Sequence, residues 1–302
     1  MKLLAGIDGG QSSTAAVIGD ERGHVLAHGA AGPADEIGVT ADSTRLQDAL
    51  YGALEDARRR ANLPDGTRFD AIVAGVSGYD GRVYGRMPQL PSTRVVLMHD
   101  TPIAHAGALG GRAGVIAIGG TGSVVYGRSE DGSTQTLGGW GFLFGDEGSA
   151  FNIARDALSM LMRAHDENDS SVAGEWSAAH DFFGMRSLRQ IAHAFYKGEI
   201  TRARLASFAP VALGFDAFRA AANAGADRLA GLVNRAIHAG APPRVALVGG
   251  VFADAGLRER MRAGVLAAVP EAAFVEPRYD PARGALLLGY RELGLDVTEL
   301  DP

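Results

Sequence analysis

The sequence contains no cysteine, and several kinds of site are excluded for that reason. A chain of 302 residues without a thiol forms no disulfide, zinc–thiolate site, thiolate nucleophile or cysteine-held iron–sulfur cluster. Long runs of basic residues are also missing, the longest being Arg58–Arg60, and the formal net charge is -6. Nucleic acids and anionic membranes normally bind basic patches, so we expect neither as a partner.

Long apolar segments are lacking at the start of the chain. The first eight residues, Met1 to Asp8, become polar too early for a signal peptide or a membrane span. We therefore expect a soluble, cytoplasmic protein. The length suggests about two domains, each large enough to bury its own core. The sequence leaves the oligomeric state open, with a homodimer among the alternatives.

Glycine, in contrast, is abundant, with 42 residues, and it is clustered. Glycine pairs stand at positions 9–10, 110–111, 119–120, 138–139 and 249–250. Several pairs follow short apolar runs that are typical of buried strands. This placement is typical of tight turns that bring the backbone close to a ligand.

Two segments of the chain share one pattern of strands and glycine turns. The first predicts strands at Leu3–Asp8, Ser13–Ile18 and His24–Ala30; the second predicts strands at Val115–Ile118, Ser123–Gly127 and Ser133–Leu137. A unit used twice indicates a duplicated domain. Chance similarity between glycine-rich hairpins is the alternative.

The remaining patterns alternate between helices and strands. We predict strands at 71–76, 94–98 and 244–248, helices at 43–61, 102–109 and 281–293, a helix after Asp254, and a mainly helical region at 147–242. This order predicts a mixed α/β fold. We place the domains at 1–108 and 109–280, the second with a helical insertion.

Both glycine turns are candidate phosphate sites. In the first, Asp8 precedes Gly9, Gly10, Gln11 and Ser12; backbone N–H groups and the hydroxyls of Ser12, Ser13 and Thr14 would face an anion. Asp8 could hold hydrated Mg²⁺, which keeps several waters and needs few carboxylates. The second turn consists of Gly119, Gly120, Thr121, Gly122 and Ser123. An ordinary hairpin is the alternative for each turn, but a duplicated pair suits the two ends of a triphosphate.

Asp100 follows a predicted strand and precedes a predicted helix. Phosphorylation of a hydroxyl needs a base that accepts its proton, and a carboxylate at the end of a strand is a suitable candidate. The alternative is that Asp100 only caps the helix.

Residues 137–150 combine five glycines, three aromatic residues and an acidic pair just before a helix. Trp140 and the glycine backbone suit a sugar ring, and Asp146 could accept hydrogen bonds from sugar hydroxyls. Trp140 could instead belong to the core, and Asp146 or Ser149 could cap the helix.

A strand at Val245–Val248 ends in Gly249 and Gly250. Two glycines would allow a flat ring such as adenine to lie against the backbone. A tight turn between a strand and a helix is the alternative.

These motifs together resemble those of the N-acetylglucosamine kinase and glucosamine kinase branch of the sugar-kinase/actin/heat-shock ATPase superfamily. The activators of benzoyl-CoA and 2-hydroxyacyl-CoA reductases share that family. The resemblance covers essentially the whole chain, and the segment from Gly138 to Ala150 is its most diagnostic part. It implies two actin-like (ribonuclease H-like) α/β domains with ATP in the cleft between them, and the last helix, 281–302, on the first domain.

The resemblance also implies roles for individual residues. Asp100 would be the base towards the 6-hydroxyl of an amino sugar, most simply N-acetylglucosamine. The sugar pocket would be lined by Gly139, Trp140, Gly141 and Asp146. Phosphates and Mg²⁺ would be bound by Asp8, Gly9, Gly10, Gln11, Ser12, Gly120, Thr121 and Gly122, and adenine by Gly249 and Gly250. Domain closure over the sugar would exclude water.

One loop departs from the family pattern. Related kinases carry an asparagine after the third strand, whereas this chain has Asp35 and Glu36. Asp35 could accept a hydrogen bond from the sugar, or it could favour the free ammonium of glucosamine. Both acids could equally be solvated loop charges.

Three other functions are alternatives to kinase activity. The activator ATPases hold a cluster through cysteines, which this chain lacks. Related sugar-sensing repressors place a DNA-binding module before the first strand, whereas a strand here begins at Leu3. A non-catalytic sugar or nucleotide sensor is the third alternative, and the presence of Asp100 and of both glycine turns favours the kinase.

Overall fold

A computed structural model describes residues 2–35 and 39–301. The chain divides into two compact units, Met1–Arg112 with Glu276–Pro302, and Ala113–Val275. The domain limits predicted from the sequence differ from these by a few residues at each boundary. Glu36, which was given above as a solvated loop charge, lies outside the described residues.

The first unit is built on a five-stranded sheet. Its strands are β1 (Leu3–Gly9), β2 (Thr14–Asp20), β3 (Val25–Ala31), β4 (Ala71–Val76) and β5 (Val95–His99). Their order is β3-β2-β1-β4-β5. Strands β1, β4 and β5 are parallel, and β2 runs antiparallel to its neighbours β1 and β3.

Helices cover both faces of this sheet. Helix α1 (Arg45–Arg60) packs on one face, and α2 (Asp100–Ala108) and α10 (Pro281–Glu292) pack on the other. Successive residues of a strand point to opposite faces, so Ile7 joins the cluster with α1 while Leu4 joins the cluster with α10. Strand β1 is therefore apolar from Leu3 to Ile7.

The second unit repeats this sheet. Its strands are β6 (Gly114–Gly119), β7 (Ser123–Arg128), β8 (Thr134–Gly138), β9 (Arg244–Val248) and β10 (Ala273–Val275). The order is β10-β9-β6-β7-β8, which from the opposite edge repeats the order of the first sheet strand for strand. The predicted duplication of an α/β unit is confirmed.

The helices between β8 and β10 form two groups. The insertion contains α3 (Ala150–Asp166), α4 (Ala173–Phe183), α5 (Leu188–Tyr196), α6 (Arg202–Ala206) and α7 (Ala209–Ala212). Helices α8 (Asp216–His238) and α9 (Ala255–Ala268) pack on the sheet through residues such as Val233 and Val265. The insertion has its own cluster, which includes Phe151, Leu161 and Phe208.

A membrane span requires a helix of about 20 mostly apolar residues. No single helix in residues 2–35 and 39–301 is long and apolar enough. The segments Arg202–Ala212 and Asp216–His238 form a bent pair. Taken together, they meet the requirement for a membrane span by length and composition only.

Candidate active site

Carboxylates gather at one edge of the first sheet. Asp8 lies opposite Gly75 of β4, and Val76 of β4 lies opposite His99, which directly precedes Asp100. The carboxyl ends of parallel strands share one edge, so the sheet itself brings Asp8 and Asp100 together. Asp280, which the sequence analysis did not single out, also acts on Asp8 electrostatically and caps α10.

The environment of Asp8 suits a cation. Burial of the carboxyl, together with the negative charges of Asp100 and Asp280, raises the pKa of Asp8 to about 7. A positive ion beside Asp8 would relieve this repulsion and restore the charged carboxylate. No group of three or more ligating side chains is arranged for a metal within the described ranges. Hydrated Mg²⁺, which needs few protein ligands, fits this donor set.

The glycine turn after β1 is held by its own backbone. Gly10 N donates to Ser13 O over 3.0 Å, and Ala34 N donates to Gly10 O over 3.0 Å. The side chains of Gln11 and Ser12 are exposed and free to face a ligand. Thr14 is not available as the donor predicted above, because it is buried and its hydroxyl donates to Gly32 O over 2.7 Å.

Asp100 begins helix α2 and does not cap it, which removes the alternative weighed above. The capping residue is His99, whose Nδ1 accepts from Thr101 N over 3.3 Å. The same Nδ1 lies 2.8 Å from Oδ1 of Asp100. This contact raises the pKa of His99, although burial of the ring opposes the shift.

The loop that departs from the family pattern contains an ion pair. Asp35 is buried, and its Oδ1 lies 3.3 Å from Nη1 of Arg45 at the start of α1. Asp35 is therefore not a solvated loop charge, because its carboxylate is covered and paired. Whether it contacts a sugar stays a prediction.

In the second unit, the glycine turn after β6 packs against the start of α3. Ala150 N donates to Gly120 O over 2.9 Å, and Ser123 Oγ donates to Glu147 O over 2.8 Å. Ser149 caps α3 by accepting from Asn152 N over 3.1 Å. The loop before α3 is thus tied to the turn that we assign to phosphate.

The glycine- and aromatic-rich loop, residues 138–149, presents apolar side chains outwards. Trp140 is 76% exposed within its unit, and Leu143 and Phe144 are exposed as well. Trp140 is therefore not a core residue, which removes that alternative. Gly139 and Gly141, both with positive φ, flank it and set its direction.

Asp146 faces inwards from the same loop. The residue is 4% exposed, its φ is 60°, and Nη2 of Arg202 donates to its Oδ2 over 2.6 Å. Burial raises the pKa of Asp146 although Arg202 opposes the shift. Its partners here are protein groups, so hydrogen bonding to a sugar hydroxyl stays a prediction that requires the loop to rearrange.

A cavity of about 690 Å³ lies within the second unit. Its size falls in the range of small-molecule sites. The lining combines the glycine turn with the region after β9 and with helices of the insertion: Gly120, Thr121, Ala150, Ile153, Ala203, Ala206, Ser207, Ala209, Pro210, Leu213, Gly214, Arg219, Gly250, Val251, Ala253 and Asp254.

Only some of these lining residues were predicted from the sequence. Gly120, Thr121 and Gly250, which were predicted to bind ATP, line the cavity, whereas Gly122 and Gly249 do not belong to its wall. The helices α6 and α7 were missed as lining elements. Their sequences read as ordinary amphipathic helices, and no local signal indicates that one side of them borders a cavity.

A duplicated α/β unit with a glycine turn after the first strand of each copy is the architecture of the actin-like ATPases and sugar kinases. The chain belongs to the BadF/BadG/BcrA/BcrD ATPase family, whose model matches residues 5–289. The predicted family relationship and fold class are confirmed, and the use of ATP accords with membership of an ATPase family.

Individual relatives are sugar kinases by name. The chain is 29% identical over 224 residues to an N-acetylmuramic acid/N-acetylglucosamine kinase of Clostridium acetobutylicum, covering 70% of each protein. It is 27% identical over 178 residues to an N-acetyl-D-glucosamine kinase of Dictyostelium discoideum, covering 56% of that protein. A solved structure of a candidate N-acetylglucosamine kinase from Chromobacterium violaceum superposes with a TM-score of 0.75 at 28% identity, covering 95% of this chain and 99% of the other.

Proposed function

We propose that this chain is an ATP- and Mg²⁺-dependent kinase that phosphorylates the 6-hydroxyl of N-acetylglucosamine. The observation that carries the proposal is the carboxylate edge of the first sheet, where the negative charge of Asp100 acts on the buried carboxyl of Asp8. The similarity to named amino-sugar kinases supports the substrate class. Because the reaction consumes ATP, we place it in the cytoplasm.

Asp100 is the proposed general base. It accepts the proton of the sugar hydroxyl while that oxygen bonds to the γ-phosphorus of ATP and the bond to the β–γ bridging oxygen breaks, releasing ADP. Backbone amides of the two glycine turns would bind the phosphate oxygens. Asp8 would hold Mg²⁺ through bound waters, and the ion would supply charge neutralisation at the phosphates.

The cavity of the second unit is the proposed adenosine site. Its wall contains alanine, leucine and isoleucine side chains, which suit an apolar purine face, and Arg219 and Asp254 provide polar groups. Arg219 Nη1 lies 2.8 Å from Asp254 Oδ1, so both charges are paired there.

Among amino sugars, the environment of Asp35 favours the N-acetylated substrate. The ammonium group of glucosamine would need an uncompensated carboxylate, whereas Arg45 already neutralises much of the charge of Asp35. A neutral acetamido group makes no such demand. We therefore rank N-acetylglucosamine above glucosamine.

The test is sugar-dependent ADP release with MgATP. The panel contains N-acetylglucosamine, N-acetylmuramic acid, N-acetylmannosamine, glucosamine and glucose. We expect turnover on an N-acetylated amino sugar, and a loss of about 10²–10⁴-fold in Asp100→Asn, which keeps the shape and removes the base. Asp131→Asn, in the exposed hairpin between β7 and β8, is the matched control and should retain full activity.

Two results would contradict the proposal. Turnover by Asp100→Asn within a few-fold of the unchanged protein would remove Asp100 as the base. ADP binding without sugar-dependent turnover on any member of the panel would favour the sugar or nucleotide sensor.

A further inference from the structure

Arg202, the first residue of α6, is held in place by several side chains of the second unit. Its guanidinium lies over the ring of Phe142 at 5.2 Å and over that of Phe151 at 5.9 Å. The two rings themselves meet edge to face at 5.1 Å. Nη2 of Arg202 donates to Asp146 over 2.6 Å. The arginine therefore has its position fixed by aromatic faces and by a carboxylate at once.

Asp146 links three pieces of backbone. Besides Arg202, the backbone N–H groups of Ser123 and Gly141 face its carboxylate and lower the pKa of Asp146. Ser123 ends the glycine turn after β6, and Gly141 belongs to the glycine- and aromatic-rich loop. A Cβ placed on Gly122 would lie 2.8 Å from Arg202 Nη2 and 2.9 Å from Asp146 Oδ2. The ion pair thus lies directly against the turn, and a side chain at position 122 would displace it.

The other end of this arrangement is the cavity. Ala203, which follows Arg202, and Ala206 and Ser207 at the end of α6 contribute to the cavity wall. A ligand that fills the cavity contacts the helix that carries Arg202. The helix has five residues and packs on α3, and a ligand in the cavity would add further contacts that fix its position.

We propose that Arg202 is a positioning residue that couples occupancy of the nucleotide cavity to the conformation of the loop carrying Trp140. The inference rests on the proposed function, in which the cavity holds ADP or ATP, and on the predicted contact between the loop and the sugar. Nucleotide fixes α6, Arg202 holds Asp146, and Asp146 holds Gly141 beside Trp140. Sugar then binds a loop that is already ordered, so the two ligands bind with positive cooperativity.

The contacts of Arg202 with Asp146 and the two rings explain why neither glutamine nor lysine can fully replace it. Glutamine keeps part of the length and a donor but removes the charge that neutralises buried Asp146. Lysine keeps the charge but lacks the planar group that lies over Phe142 and Phe151. Nε of Arg202 is buried and has no hydrogen-bond partner within the described residues, so the aromatic contacts and Nη2 account for its placement.

The loop has an internal reporter. Trp140 and Trp176 are the two tryptophans of the chain, so Trp176→Phe leaves Trp140 as the sole source of tryptophan emission. In this background we would titrate ADP and record the emission. Calorimetry would then give the Kd of N-acetylglucosamine with and without saturating ADP. The ratio of the two Kd values measures the coupling and is unaffected by a partly inactive sample.

We expect ADP to change the emission of Trp140 and to tighten sugar binding about fivefold or more. Arg202→Gln should bind ADP but lose both effects, and Arg202→Lys should retain them in part. The matched control is Arg204→Gln on the same helix. Arg204 lies over Phe182 at 4.1 Å and donates to Phe182 O over 2.6 Å, without contact to Asp146. This control should couple the ligands as the unchanged protein does.

The outcomes separate the inference from the proposed function. Failure of ADP to bind the unchanged protein would count against the nucleotide site itself. ADP binding with a coupling ratio near one, or with equal ratios in Arg202→Gln and the unchanged protein, would overturn the role of Arg202. Should Arg202→Gln not fold, Arg202→Lys decides: a coupling ratio equal to that of the unchanged protein overturns the inference.

Discussion

At the scale of single residues, the ring of His99 presents one nitrogen to competing partners. Nδ1 is 2.8 Å from Oδ1 of Asp100 and 3.3 Å from the backbone nitrogen of Thr101, and it also contacts the Thr101 hydroxyl. A protonated Nδ1 donates to Asp100, whereas an unprotonated Nδ1 accepts from Thr101 and caps α2. The two arrangements exclude each other.

This geometry predicts a pH dependence of the kinase reaction. The contact with Asp100 raises the pKa of His99, so the cationic ring persists to higher pH than an ordinary histidine. Below that pKa, the protonated ring donates a hydrogen bond to the carboxylate of Asp100, which is then not free to accept the sugar proton. We therefore expect kcat/KM to rise as the pH increases through the pKa of His99. His99→Asn keeps a capping side chain but cannot become a cation. Its acid limb should therefore move to lower pH in a kcat/KM profile.

Comparing the kcat/KM profiles of His99→Asn and the unchanged protein isolates the effect of His99 from that of other titrating groups. Asp8 also titrates near pH 7 when no cation is bound, but this contribution is common to both proteins. His238→Asn, at the exposed end of α8, is the control and should leave the profile unchanged. An identical acid limb in His99→Asn and the unchanged protein would show that His99 does not control Asp100.

Sequence reasoning reached some site residues and missed others for a physical reason. Asp8 and Asp100 could be predicted because each follows an apolar strand, which is a local pattern. Arg202 and Asp280 could not. Arg202 meets Asp146 across 56 positions of sequence, and Asp280 acts on Asp8 from the far end of the chain. Such pairs exist only after the helices have packed.

At the scale of elements, the two glycines after β9 have different roles, although Gly249 and Gly250 were both predicted to lie against adenine. Gly249 has φ 105°, and a Cβ there would lie 2.5 Å from Gly119 O, at the end of β6. Gly250 lines the cavity, and a Cβ there would meet no atom within 4 Å. The first glycine serves the close approach of the backbone, and the second leaves room for a ligand.

Alanine substitutions should distinguish these roles. Gly249→Ala places an L side chain in a strained backbone conformation, which costs about 1–3 kcal/mol of stability, and adds a clash with the backbone. We expect a drop in unfolding free energy of at least that size in urea denaturation. Gly250→Ala should unfold nearly as the unchanged protein does but bind ADP more weakly. Equal stability of both variants would contradict the assignment of Gly249 to backbone packing.

The strands could be predicted closely because most of them are buried apolar runs bounded by glycine. Predicted strand ends differ from the observed ones by at most two residues, as at Ser13–Ile18 against Thr14–Asp20. The exception is β10, Ala273–Val275, which was missed. It has three residues, none of them buried, so it offers neither a run nor an alternation to detect.

At the scale of the whole molecule, the two sheets share one topology but differ in how the chain supplies them. The second unit is continuous from Ala113 to Val275, whereas the first takes its last helix from the end of the chain. Helix α10 buries Leu286, Leu287 and Tyr290 against β1, β2 and β4. At Gly284 its backbone touches α2, where a Cβ would lie 2.0 Å from Ile103 O.

This difference predicts how fragments fold. Residues 113–275 alone should give a cooperative thermal transition by circular dichroism, because the fragment carries both of its core clusters. Residues 1–112 alone should not. Losing three large buried side chains of α10 removes about 5–9 kcal/mol of apolar burial, comparable with the whole stability of a domain.

A joined fragment provides the control for that failure. Arg278 N donates to Ala108 O over 3.0 Å, so residues 112 and 276 can be connected by a short linker. Residues 1–112 linked to 276–302 should recover a cooperative transition, because α10 again covers Leu4 and Val17. A cooperative transition in residues 1–112 alone would mean that the sheet and α1 suffice as a core. The last helix would then contribute to the position of Asp280 near Asp8 and not to the folding of the unit.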